Sequence, residues 1–65
     1  MEVTDVITAD AIEENDKILY VNDPVEVRTK IDSGDCILIK GYSHLTGENV
    51  TYILDPYVEV ELWEP

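Results

Sequence analysis

From Lys17 onward the chain alternates with a period of two. Val25, Val27 and Ile31 fall on one side of an extended backbone with Thr29 between them, and Glu26, Arg28 and Lys30 fall on the other. Val50, Tyr52 and Leu54 alternate with Thr51 and Ile53, and Val58, Val60 and Leu62 alternate with Glu59, Glu61 and Trp63. Successive side chains of a strand point to opposite faces, so such runs form half-buried strands with one wetted side. Helical spacing is nearly absent. Residues 8–14 suffice for one short turn, capped by Thr8 or Asp10, and too little to stand alone. The chain is expected to be all-β.

Turn-forming residues divide it. Lys17–Val21 reads as a strand that Asn22-Asp23-Pro24 ends, Pro24 fixing its own φ. Asp32-Ser33-Gly34-Asp35, the polar loop 44–49 and Asp55-Pro56 mark further reversals. Cys36-Ile37-Leu38-Ile39 is apolar on both faces, which predicts the most central strand, and Gly41 predicts a bulge or bend. Four strands and a shorter N-terminal one containing Val3, Val6 and Ile7 predict a single small β domain over residues 1–65. Its expected form is a five-stranded barrel or a strongly bent antiparallel meander.

Ala11-Ile12-Glu13-Glu14-Asn15-Asp16-Lys17-Ile18 resembles the opening segment "x-L-x-x-G-D-x-I" of SH3-like small barrels, including KOW-type modules, with Asn15 where those usually carry Gly. The hairpin from Asp35 to Leu54 fits the same order of strands. The chain is also similar in style to short acidic open reading frames of bacteria and their phages. The resemblance implies a fold and no activity.

Charge narrows the functional classes. The 65 residues hold 15 Asp plus Glu against 4 Lys plus Arg, a formal net charge of -11. Direct binding to nucleic acid or anionic lipid is disfavoured, because phosphate contacts come chiefly from Lys and Arg. No apolar run approaches the roughly 20 residues of a membrane span. The N-terminus lacks the basic and apolar regions of a secretory signal, and a lone Cys36 suits a reducing compartment, so the cytoplasm is expected, a host's if the chain is phage-encoded.

The charge sits at the two ends. Residues 1–16 contain Glu2, Asp5, Asp10, Glu13, Glu14 and Asp16 and no base. Residues 47–65 contain Glu48, Asp55, Glu59, Glu61 and Glu64 and no base, while residues 17–46 sum to zero. If the ends of the chain meet, their carboxylates pool into one negative field. Such a field speeds encounter with a basic partner at low salt. The expected function is a non-enzymatic acidic interaction protein that binds a basic, nucleic-acid-binding protein, as an inhibitor that mimics nucleic acid. The expected partner-binding residues are Glu59, Glu61 and Trp63, supported by Glu13, Glu14 and Asp16. Trp63 has two readings: an outward anchor beside the acids, or a ring folded back over the core. A second functional reading is a small adaptor or assembly subunit that uses strand-edge pairing or homo-oligomerisation.

Chemistry has little to draw on. Ser43 lies beside the only histidine, His44, but neighbours on an extended segment face opposite ways, and Leu45 stands where a nucleophile elbow needs glycine. Asp32 and Asp35 lack the spacing of a calcium loop. Glu59 and Glu61 stand about 7 Å apart on one strand face, without a cleft to shift their pKa values. No catalytic residue, metal or cofactor is expected.

Overall fold

A computed structural model describes residues 1–65. One antiparallel sheet holds six strands: β1 (Glu2–Thr8), β2 (Lys17–Tyr20), β3 (Asp23–Asp32), β4 (Ile37–Ser43), β5 (Asn49–Leu54) and β6 (Glu59–Glu64). Its order is β1-β6-β2-β3-β4-β5. The one helical element is a short 3-10 turn over Ala9–Ala11. There are six strands rather than five: each of the five runs from Lys17 onward forms a strand and β1 is the sixth, with β2 pairing with β3 on one side and β6 on the other.

The sheet curls without closing into a barrel. Ala9, Ile12, Ile18, Val25, Val27, Ile37, Ile39, Leu54 and Val60 form one buried cluster, drawn from both halves of the sheet. A single layer has no second layer to cover it, so it buries an apolar face by curling on itself. The two edge strands, β1 and β5, never pair. Past the end of the β1–β6 ladder the 3-10 turn meets the segment before β6: Ala9 N–H donates to the Val58 carbonyl (2.8 Å) and Asp10 N–H to that of Pro56 (3.0 Å). β1 and β5 remain open edges, and the expected barrel does not close.

A bulge alters the phase of β3. Val27 pairs with Gly41 and Thr29 with Lys40, which leaves Arg28 as the extra residue. Beyond it Lys30 lies opposite buried Ile39 and Ile31 opposite Leu38. The faces expected for Lys30 and Ile31 are therefore exchanged. Ile31 is 48% exposed, whereas the Lys30 ammonium hydrogen-bonds to the carbonyl of Asp10 while its stem lies along the inner face. Gly41 sits opposite the bulge, as the expected bend requires. A Cβ there would lie 2.4 Å from the Glu26 carbonyl oxygen.

Two further expectations are corrected. β4 is next to the edge rather than central. Its outward Leu38 lies in a row with Ile31 and Ile53, so the two-faced apolar run reflects an outer apolar row and not burial on both sides. The β2–β3 turn is Val21-Asn22, both at positive φ (50° and 62°), and Asp23 and Pro24 belong to β3.

Candidate functional site: an acidic two-stranded ribbon

The antiparallel pairing of β1 with β6 brings the two ends of the chain together. Glu2 stands opposite Glu64, Asp5 opposite Leu62, Val6 opposite Glu61 and Thr8 opposite Glu59. The two strands thus carry Glu2, Asp5, Glu59, Glu61 and Glu64 with no base between them. All five are exposed. The molecule's ion pair lies elsewhere: Arg28 Nη1 is 3.2 Å from Glu26 Oε2, and the other oxygen of Glu26 lies 3.4 Å from His44 Nε2. No basic side chain neutralises the ribbon.

The expected site carboxylates separate into three groups. Glu59 and Glu61 share the outer face of β6 with Thr8 and Val6 across the ladder, directly opposite residues being on one face. Glu13 and Glu14 are exposed in the turn before β2. Asp16 is half-buried, and its Oδ2 accepts from Glu13 N–H at 2.9 Å, closing a turn in which Asn15 adopts φ 74°. Asn15 thus supplies the left-handed backbone that glycine usually supplies, which Asn tolerates better than most residues. Asp16 is a turn-forming group before it is a contact.

Trp63 follows neither reading: by alternation it stays on the outer face with Glu59 and Glu61, outside the core cluster, but it is covered there rather than exposed. It is 6% exposed, and its indole N–H donates to the carbonyl of Ile18 at 2.8 Å. His44 stands edge-on to it, with ring centroids 5.2 Å apart, and Tyr42 stands edge-on to His44. Trp63 also lines a shallow depression with Asp16, Thr4 and Glu64. Its burial ties β6 to β2 and leaves the ring unable to serve as an exposed anchor.

Ser43 and His44 point to opposite sides. Ser43 is buried and donates to Asp23 Oδ1 at 2.6 Å, while His44 meets Glu26 on the outer face. Asp23 Oδ2 also accepts from the Tyr52 hydroxyl at 2.5 Å. The Tyr52 phenol is held above its ordinary value of 10.0, first by this hydrogen bond, then by burial and by the Asp23 charge. Sequence reasoning missed this Asp23–Ser43–Tyr52 cluster, although strand alternation carried the signal. Asp23 has the parity of Val25 and Val27, Ser43 that of Ile37 and Ile39, and Tyr52 that of Val50 and Leu54. Three polar groups at inward positions must satisfy one another.

No helix is long and apolar enough to cross a membrane. Neither a protein-family model nor a curated protein matches the sequence.

Proposed function

We propose that the chain is a non-enzymatic interaction protein whose acidic β1–β6 ribbon engages a basic surface on a nucleic-acid-binding protein. The observation that carries the reading is the pairing of the two terminal strands, which sets five uncompensated carboxylates on adjacent strands. Grooves that bind nucleic acid present Lys and Arg spaced for phosphates, and a rigid ribbon with Glu59 and Glu61 on one face and Glu2, Asp5 and Glu64 on the other competes for the same cations. The role that fits is a decoy, of the kind phages and mobile elements direct against host proteins. Glu59 and Glu61 provide the central charges, and Glu13 and Glu14 extend the field. Asp16 and Trp63 act through structure, the one closing the turn and the other seating β6.

The test is capture from the source cell on immobilised protein, at about 50 mM and about 300 mM salt, beside the Glu59→Lys/Glu61→Lys variant. Basic nucleic-acid-binding proteins should be retained at low salt, released at the higher salt and by added duplex DNA, and lost from the variant. Retention that is indifferent to salt or to the double charge reversal would overturn the proposal.

A further inference from the structure

The two edges of the sheet are unlike. β1 carries Glu2, Asp5 and a register shift between Val3 and Asp5, features that keep an edge from pairing with another strand. β5, Asn-Val-Thr-Tyr-Ile-Leu, has no charge, no proline and no bulge. Ser43 N–H donates to the Glu48 carbonyl (2.9 Å), which sets the phase of the β4–β5 ladder. By antiparallel alternation, the amides and carbonyls of Val50, Tyr52 and Leu54 point to β4, and those of Asn49, Thr51 and Ile53 point to the open edge. The side chains of Asn49, Thr51 and Ile53 are themselves exposed.

Charge selects the occupant of that edge. Two copies at -11 repel on most approaches. The strands β3, β4 and β5 together carry Asp23, Glu26 and Asp32 against Arg28, Lys30 and Lys40, a sum of zero, while β1 and β6 carry five acids and no base. Arg28 and Lys40 line a depression on the outer face beside Asn49 and Thr51. Approach through β5 therefore joins the neutral halves and holds the acidic ribbons at the two far edges. Ile53, 67% exposed at the end of the Ile31–Leu38–Ile53 row, lies at the join.

We propose that β5 pairs with β5 of a second copy, antiparallel and centred on Thr51, in a symmetric dimer with one continuous sheet. This register sets Thr51 opposite its own copy and Asn49 opposite Ile53 of the partner subunit. It forms about six new backbone hydrogen bonds from the groups now free. The contact is isologous and closed, and leaves both acidic ribbons open. It does not depend on what the ribbon binds.

Sedimentation equilibrium of the full chain from about 10 μM to about 1 mM, at low and moderate salt, tests the pairing. The mass should double with concentration, and added salt should strengthen the dimer by screening the net charges. Salt acts with the opposite sign on capture by the ribbon, so the failure of either reading is distinguishable from the failure of the other. Thr51→Pro removes a donor that β4 does not use, and should give a folded monomer. Thr51→Cys in a Cys36→Ser background should form a disulfide-linked dimer on oxidation, the facing Cα atoms being about 5.5 Å apart. A chain that stays monomeric at about 1 mM in moderate salt overturns the proposal and leaves the edge to a strand of another protein. So does a dimer that survives Thr51→Pro. Should Thr51→Pro fail to fold, the cysteine variant decides, and absence of the cross-link overturns the pairing.

Discussion

The hydroxyl of Tyr52 on β5 donates to the carboxylate of Asp23 on β3, across the inner side of β4. Ser43 on β4 donates to the other oxygen of the same carboxylate. Ser43 Oγ in turn accepts from the backbone N–H groups of Leu45 and Thr46, at 3.2 and 3.1 Å. One buried acid thereby links three strands and the loop after β4. Removing it strands two hydroxyls inside the sheet. Asp23→Ala should cost about 3 kcal/mol and Tyr52→Phe about 1.5 kcal/mol, hydrogen bonds to a charged group being worth about 1.5–3 kcal/mol. Denaturant unfolding of the two single variants and the double variant checks this. The losses should be less than additive, because one bond is shared.

The same pair makes stability depend on pH in the alkaline range. The folded-state phenol of Tyr52 titrates above 10.0, the ordinary value that the unfolded chain keeps. Above that pH the unfolded chain releases a proton that the folded chain retains, so unfolding gains free energy from each further rise. The contribution is fully present below pH 10 and is lost as pH rises through the folded value. Urea midpoints measured across that range should fall more steeply for the wild type than for Tyr52→Phe. Parallel slopes would remove the pair from the account.

The turn between β2 and β3 holds a β-branched residue where few residues are comfortable. Val21 has φ 50° and is 76% exposed, so no packing offsets the strain. Two consecutive residues at positive φ in a two-residue hairpin turn favour Asn-Gly. Val21→Asn with Asn22→Gly should therefore stabilise the domain by about 1 kcal/mol. A rise in Tm of about 4–8 °C is the expected reading for a domain of this size.

Gly41 lets β4 lie tightly against β3 at the bulge. An added methyl group would meet the Glu26 carbonyl oxygen and, at 2.7 Å, a methyl of Val25. The oxygen belongs to the backbone and cannot rotate aside, so Gly41→Ala should cost at least about 2 kcal/mol. Ala in place of the exposed Gly34, whose Cβ direction is open, should cost only what its positive φ of 86° imposes. Thermal unfolding of the two variants gives the comparison.

Much of this molecule was legible before any coordinates. Alternation placed Val25, Val27, Leu54 and Val60 on the buried side of their strands, and all four are buried. It failed after Arg28, because a bulge is defined by two residues facing one across a ladder, and a single strand does not reveal its partner. Ile31 and Lys30 exchanged faces for that reason. Parity put Trp63 on the face of Glu59 and Glu61 but could not show that it is buried there. Its burial depends on the Ile18 carbonyl and the adjoining turn with Asp16, and on His44, which come from two segments distant from it in the chain.

The amino-acid sequence by itself determined that this is a small β domain, where most of its reversals fall, and that its negative charge resides in the two terminal segments. Those are local properties, written in alternation, turn residues and charge count. Only the tertiary structure decided that β6 lies between β1 and β2, which makes the two acidic segments neighbours in one ribbon. It also decided that the sheet stays open, with one charged edge and one uncharged edge. Strand order and closure depend on pairing between residues far apart in the chain, and a period of two is the same whichever strand lies alongside.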